Sequence, residues 1–163
     1  MKNIVLIGMP GSGKTTIGKI LAEELDMKFC DSDEYIEEHS GKSIPEIFQD
    51  GEERFRSIEK EAILEISNEE NTVIATGGGV VKSLENIINL KNNGVLIFIN
   101  RPLEDIMSDI DANHRPLIKD EIEKLNKLFE ERYSLYKKYS DYEVMNRGSL
   151  QELVTKIIKL LRP

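Results

Sequence analysis

The stretch that decides the fold is G-M-P-G-S-G-K-T at residues 8–15, which matches the phosphate-binding pattern G-x-x-x-x-G-K-[ST] at every fixed position. A short apolar, β-branched run precedes it, and apolar residues at helical spacing follow it. A strand, a glycine-rich turn and a helix form the setting in which backbone N–H groups converge on a phosphate. Lys14 can then reach the β- and γ-phosphates, and the Thr15 hydroxyl can bind Mg²⁺. The motif predicts a nucleotide-phosphate site, and its context disfavours a glycine-rich turn without a ligand.

The composition is that of a charge-rich globular protein. The chain has 163 residues, 39% of them hydrophobic and 32% charged, and residues 1–163 are expected to form one domain. No apolar run approaches about 18 residues, so no membrane partner is expected. The lone Cys30 cannot form an intramolecular disulfide and the N-terminal apolar run is too short for a signal peptide, so a cytoplasmic location is expected. The net charge of −8 argues against a nucleic-acid-binding surface. A small-molecule partner and a monomeric state are expected.

Short β-branched runs alternate with helical segments along the chain. Strands are predicted at 3–7, 28–30, 72–75, 95–99 and 142–145. Helices are predicted at 14–25, 83–92 and 121–139, with one or two more within 33–67 and a last one that begins near Ser149. This alternation predicts an α/β fold in which helices cover both faces of a parallel sheet. Ligands of such folds bind at the carboxyl ends of the strands.

Chemistry-bearing residues follow the second and third predicted strands. Asp31 and Asp33 come after the second strand, where one carboxylate can hold the metal and the other can orient a substrate hydroxyl or take its proton. A helix cap at Asp31 or Ser32 is the alternative. The three glycines at 77–79 follow the third strand and favour close backbone approach to a ligand over a flexible turn. No Walker B aspartate stands there, which leaves Asp31 as the metal candidate.

Three arginines are candidate anion-binding residues in this acidic protein. Arg56 and Glu59 are three residues apart and share a helix face, as either a surface salt bridge or an arginine fork held for a substrate anion. The polar stretch 109–120 is predicted to be a mobile lid that excludes water, with Arg115 at the phosphoryl group, or else a plain surface loop. Arg132 lies on a predicted long helix, and its position alone does not decide its role.

Together the motifs resemble the shikimate kinase family over almost the whole chain. The stretches that carry the resemblance are G-M-P-G-S-G-K-T-T-I-G-K, F-C-D-S-D-E-Y-I-E, S-I-P-E-I-F, G-E-E-R-F-R-S-I-E, A-T-G-G-G-V-V, R-P-L and R-Y-S-L-Y. Many families share the phosphate loop, whereas D-x-D, F-R-x-x-E and G-G-G in this order and spacing are far more specific. The resemblance implies a P-loop NTPase fold of nucleoside-monophosphate-kinase type, with a five-stranded parallel sheet in the order 2-3-1-4-5 and a mobile lid. It also implies transfer of the ATP γ-phosphate to the 3-hydroxyl of shikimate, in aromatic amino-acid biosynthesis.

The motifs and the resemblance together assign roles to individual residues. The catalytic residues are expected to be Lys14, Arg115 and, as the candidate base, Asp33. Nucleotide contacts are expected at Gly11, Ser12, Gly13, Lys14, Thr15, Thr16, Arg115 and Arg147. Shikimate is expected to contact Asp33 at its ring hydroxyls, Arg56 (oriented by Glu59) and Arg132 at its carboxylate, and the backbone of Gly77, Gly78 and Gly79. Mg²⁺ is assigned to Thr15 and, through water, to Asp31.

One position departs from the family pattern, and three rival functions stay open. Family members often carry a second lid arginine where this chain has Ser108, which Asp109 and Asp111 follow. Such an acidic lid is expected to repel triphosphate. The rivals are a gluconate kinase-like enzyme, a nucleotide-binding module without turnover and a GTPase switch. The pair of Arg56 and Arg132 with the three glycines favours shikimate over gluconate, and the missing N-K-x-D motif disfavours the GTPase.

Overall fold

The computed structural model describes residues 2–112 and 119–162, and at its centre lies a five-stranded parallel sheet in the order β2-β3-β1-β4-β5. Its strands are β1 Asn3–Ile7, β2 Lys28–Asp31, β3 Thr72–Ala75, β4 Gly94–Asn100 and β5 Tyr142–Met145. All five residues of β1 are buried, as an apolar, β-branched central strand requires when both faces of its sheet are covered. The predicted strand order and parallel pairing are confirmed.

Helices connect the strands and cover both faces of the sheet. They are α1 Lys14–Leu25, α2 Ser32–Ser40, α3 Ile44–Gln49, α4 Glu52–Ser67, α5 Leu84–Asn92, α6 Leu103–Ala112, α7 Lys119–Tyr139 and α8 Leu150–Leu161, with a 3-10 turn at Val80–Lys82. Helices α1 and α8 bury Leu21 and Val154 against one face of the sheet. Helices α4 and α7 bury Ile63 and Tyr136 on the other face. No helix within the described ranges is long and apolar enough to cross a bilayer.

The region 33–67 contains three helices, so the prediction of one or two was wrong. The Asp31 side chain caps α2, which begins at Ser32. Helix α2 ends at Ser40 and is capped by Gly41, whose left-handed φ of 69° is a conformation that glycine adopts without a Cβ clash. A new helix then begins at Ser43, where the Ser43 and Glu46 side chains form a reciprocal capping box. Capping residues therefore divide this region into separate helices, whereas its apolar spacing alone would allow one longer helix.

The predicted lid stretch 109–120 is partly helical. Helix α6 reaches Ala112, and α7 begins at Lys119, two residues before the predicted start of that helix. The prediction of a loop was thus wrong for residues 109–112 and 119–120. Arg115 lies outside the described residues, and its assignment stays a prediction.

Candidate active site

The phosphate-binding loop joins β1 to α1 and closes around the Lys14 side chain. Lys14 Nζ donates to the carbonyl oxygens of Gly8 at 2.7 Å and Met9 at 2.9 Å, and its residue is 8% exposed. Burial lowers the pKa of Lys14 to about 8, against the nearby carboxylates of Asp33 and Asp31, which raise it. The ammonium group is therefore held inside the loop, where a phosphate would be its natural counter-ion.

The other predicted loop residues also lie where the motif places them. Ser12 is buried, and its backbone N–H donates to the Met9 carbonyl oxygen at 3.1 Å. Gly13 is the N-cap of α1 and Thr16 lies in the first turn of that helix. A cavity of about 330 Å³ opens beside this turn, and Gly11, Gly13, Thr15 and Thr16 contribute to its wall. The helix N-terminus thus faces the cavity with its partial positive charge.

Asp31 connects the phosphate loop to α2. Its Oδ2 accepts a 2.7 Å hydrogen bond from Thr15 Oγ1, and its Oδ1 accepts from the backbone N–H of Asp33 at 2.9 Å. The helix-cap interpretation of Asp31 is therefore confirmed, and its other oxygen contacts the Thr15 hydroxyl, while its role in metal binding stays a prediction. Asp33 reaches the same cavity. Burial, followed by the charge of Asp31, raises the pKa of Asp33, while Lys14 opposes that shift.

The glycines at 77–79 are lined by predicted substrate-binding side chains. A Cβ on Gly77 would come within 2.7 Å of Asp33 Oδ1, and a Cβ on Gly78 would lie 3.2 Å from Arg132 Nη1. At Gly79 a Cβ would overlap the guanidinium of Arg56, so the absence of a side chain there makes room for that arginine. The glycines therefore make room for two arginines and a carboxylate at the end of β3.

Glu59 holds Arg56 in place. Its Oε1 lies 3.0 Å from Arg56 Nη1, and its side chain is 1% exposed against 19% for that of Arg56. On the outer side, Arg56 Nε lies 3.4 Å from Oε1 of the exposed Glu52. Burial raises the pKa of Glu59, and the Arg56 charge opposes that shift. The predicted pair thus has one buried member, which favours the arginine fork over the surface salt bridge.

Three polar atoms in this half of the site are buried without a hydrogen-bond partner among the described residues. They are Asp33 Oδ1, Glu59 Oε2 and Arg132 Nε. Buried polar atoms in native proteins almost always have partners, so unpaired atoms gathered at one place call for a ligand. Two acceptors and one donor suit a molecule that carries both hydroxyl groups and an anion.

A second cavity of about 340 Å³ lies beyond the phosphate loop and contains Arg147. Arg147 Nη2 lies 3.3 Å from Oε1 of Glu104, and both side chains are exposed. Asn146 Nδ2 donates to the Ser12 carbonyl oxygen at 2.7 Å. The structure therefore places Arg147 in a cavity beside the loop whose wall does not include Asp33 or the glycines at 77–79.

Sequence reasoning missed two residues that shape the site. The Tyr136 hydroxyl donates to the Gly78 carbonyl oxygen at 2.6 Å, and its ring packs against Phe98 in the core. Asn146 ties the end of β5 to the phosphate loop. Both bonds join segments that are distant in sequence. Tyr136 is the last residue of the R-Y-S-L-Y stretch and lies one helical turn after Arg132, but neither feature assigned it a role.

The site combines a phosphate-binding loop with an anion- and hydroxyl-binding half at one edge of a parallel sheet. That combination defines a small-molecule kinase of the P-loop class. A family model for shikimate kinase matches residues 10–162. The chain therefore belongs to the shikimate kinase family, and it is an ATP-dependent kinase with an alcohol acceptor.

Individual relatives agree with the family match. The chain is 51% identical to a shikimate kinase from Clostridium botulinum (strain Alaska E43 / Type E3), over 99% of this chain and 98% of that protein. It is 53% identical to a shikimate kinase from Clostridium botulinum (strain Eklund 17B / Type B), with the same two coverages. Among solved structures, the shikimate kinase from Acinetobacter baumannii in complex with shikimate superposes with a TM-score of 0.90 at 36% identity, covering 99% of this chain and 93% of that one.

Proposed function

We propose that the site described above transfers the γ-phosphate of ATP to the 3-hydroxyl of shikimate and holds both substrates at the carboxyl edge of the sheet. The observation that carries this proposal is that Asp33 and Arg132, each with an unpaired buried atom, lie against Gly77 and Gly78, which line the cavity beside the phosphate loop. The related structure from Acinetobacter baumannii holds shikimate, which is a carboxylated polyol of the kind that these atoms fit. Its carboxylate would lie between Arg56 and Arg132, and its ring hydroxyls would lie against Asp33.

Charge in the acceptor half supports binding of a carboxylate rather than of a neutral sugar. Arg56 and Arg132 both lie against the glycine segment, and Glu59 occupies only part of the Arg56 guanidinium. A guanidinium presents five N–H donors in a planar fork that matches a carboxylate. With two such forks, the site would offer the acceptor more positive charge than Glu59 neutralises. The pair would therefore select an anionic acceptor.

Asp33 is suited to accept the proton of the attacking hydroxyl. Its raised pKa makes it a stronger base than an exposed aspartate, while Lys14 and Arg56 favour its ionised form. Lys14, held in the loop by two carbonyl oxygens, would turn its charge to the transferring phosphoryl group. Positioning and charge stabilisation account for most of the catalysis of phosphoryl transfer.

The residues beside the loop fit a magnesium ion. The Thr15 hydroxyl and an Asp31 carboxylate oxygen are 2.7 Å apart, and both are hard oxygen ligands. Within the described ranges, no cluster of three or more acidic, histidine or cysteine side chains forms a complete metal site. Mg²⁺ commonly takes one or two protein ligands and completes its shell with water and substrate phosphates. When bound with ATP, Mg²⁺ would neutralise charge on the phosphates; Thr15 would bind it and Asp31 would orient its water.

An ADP-release assay with a panel of acceptors tests the proposed function. Shikimate with Mg-ATP should release ADP far above the rate without acceptor, and gluconate should not. Turnover of gluconate without turnover of shikimate would assign the enzyme to another acceptor. ATP binding without turnover of any acceptor would favour a binding module. Asp31→Asn keeps an oxygen for the cap of α2, so it should raise the Mg²⁺ concentration needed for half-maximal rate without unfolding the protein.

A further inference from the structure

Arg101, the first residue after β4, lies against the phosphate loop although no motif marks it. Its Nη1 donates to the Gly11 carbonyl oxygen at 3.0 Å and forms an ion pair with Asp109 on α6. The side chain is 20% exposed, and it lines the second cavity together with Thr16 and Arg147. A cation is therefore fixed beside the loop, in a cavity whose wall does not include Asp33 or the glycines at 77–79.

Most of the Arg101 guanidinium is available to a ligand. The group has five N–H donors, and both of its bonds use Nη1. Neither Nε nor Nη2 has a partner within residues 2–112 and 119–162. Since Gly11 fixes one end of the fork, the remaining donors are preorganised, which lowers the entropy lost when an anion binds.

The cavity that Arg101 lines adjoins the cavity beside the phosphate loop, because the two share part of their walls. Gly13 and Thr16 contribute to its wall, and they come from the N-cap and the first turn of α1. That helix end attracts anions through its free N–H groups. The Asp109 carboxylate already forms an ion pair with Arg101, and this contact lowers the pKa of Asp109. Asp105 and Asp109 also line this cavity, so an anionic ligand would bind the donors of Arg101 that Asp109 does not use.

We propose that Arg101 is a nucleotide-binding residue that donates hydrogen bonds to the phosphate chain of ATP and supplies a cation that Ser108 does not. This inference rests on the proposed function, because it assumes that ATP is the phosphate donor. It also alters the expectation drawn from the acidic lid, since Arg101 neutralises Asp109. The ligand chemistry is a di- or triphosphate on a nucleoside, and the contact is to the phosphates rather than to the base.

Calorimetric titration of Arg101→Gln with ADP and Mg²⁺ tests this proposal without requiring turnover. One lost charge-assisted contact should weaken ADP binding at least about tenfold. The Michaelis constant for ATP should rise to a similar extent, whereas that for shikimate should stay within twofold. Arg101→Lys keeps the charge but not the planar fork, so its affinity for ADP should lie between those of the wild type and Arg101→Gln. The control is Arg54→Gln, which removes an exposed arginine from a different cavity and should leave ADP binding unchanged.

Three results would overturn the proposal. One is ADP binding by Arg101→Gln within twofold of the wild type. Another is an equal rise in the Michaelis constants for ATP and shikimate, which would indicate general damage to the site. The third is an equal loss of affinity for ADP and for adenosine, measured by competition, which would assign Arg101 to the base. If the wild type failed to phosphorylate shikimate while Arg101→Gln lost ADP affinity, the proposed function would fail and the role of Arg101 would stand.

Discussion

Replacing Glu59 with glutamine should weaken shikimate binding without weakening the fold. Glu59 is almost fully buried and holds Arg56 Nη1 at 3.0 Å through Oε1. Glutamine has nearly the same shape but no charge, so Arg56 would lose the anion that fixes its orientation. Ordering a free arginine side chain costs about 1.5–2 kcal/mol, and shikimate would have to supply that free energy on binding. The expected rise in the Michaelis constant for shikimate is therefore about tenfold, because 1.4 kcal/mol corresponds to a factor of ten.

The stability of Glu59→Gln follows from the same geometry. Removing one partner of a fully buried ion pair costs about 3–5 kcal/mol, because a buried charge then lacks its counter-ion. Here the remaining partner is Arg56, whose side chain is 19% exposed and keeps its contact with Glu52. Since burial raises the pKa of Glu59, the ionised carboxylate is itself costly to bury, and glutamine removes that cost. We expect the unfolding temperature to stay the same or to rise.

The pH dependence gives this prediction a sign. A carboxyl group whose folded-state pKa is raised stabilises the fold below its ordinary value of 4.5, and that stability is lost as the pH rises through the folded-state pKa. Glutamine does not titrate. The stability of Glu59→Gln relative to the wild type should therefore increase as the pH is raised from about 4.5.

Steady-state kinetics and thermal unfolding, measured on the same preparations, separate the two effects. Glu52→Gln is the matched control, because it removes the exposed carboxylate that contacts the same arginine. It should change the Michaelis constant for shikimate less than threefold. An unchanged shikimate constant in Glu59→Gln would refute the positioning role of Glu59. A loss of 3 kcal/mol would lower the unfolding temperature by roughly 6–12 °C and would refute the stability argument.

Two further substitutions test the contacts around the glycine segment. Asp33→Asn should lower kcat about 100-fold or more, as expected for a general base, and should leave ADP affinity within twofold. Glu34→Gln, on the same helix turn, is the control. Unchanged turnover in Asp33→Asn would show that Asp33 has no part in the mechanism. Tyr136→Phe removes the 2.6 Å hydrogen bond to the Gly78 carbonyl oxygen. It should lower the free energy of unfolding by about 1–3 kcal/mol and raise the Michaelis constant for shikimate. Tyr142→Phe at an exposed position should do neither, and equal effects of the two tyrosine variants would contradict the positioning role of Tyr136.

Sequence signals predicted the phosphate loop and the residues that follow adjacent strands. The phosphate loop was predictable because eight contiguous residues, a buried strand and a helix are enough to define it. The convergence of Asp33 with the glycines was predictable from the rule that parallel strands end at one edge, since Asp31 pairs in register with Ala75. Residues after adjacent strands therefore had to meet.

Contacts across long sequence separations were not predictable. Asn146 bonds the carbonyl oxygen of Ser12, 134 residues away, and Arg101 bonds that of Gly11, 90 residues away. No motif assigned a role to either residue, and each acquires its position only from the completed sheet. By contrast, the division of the region 33–67 into three helices had a local signal, because the capping box at Ser43 and Glu46 can be seen in the sequence.

The position of the transferred phosphate tests the central claim most directly. The enzyme would be incubated with shikimate, ATP and Mg²⁺, and the product would be examined by phosphorus and proton NMR, in which coupling shows which carbon carries the ester. The account predicts a single product that is phosphorylated at the 3-hydroxyl, formed together with an equal amount of ADP. An ester at another hydroxyl, or release of ADP without a phosphorylated acceptor, would contradict it.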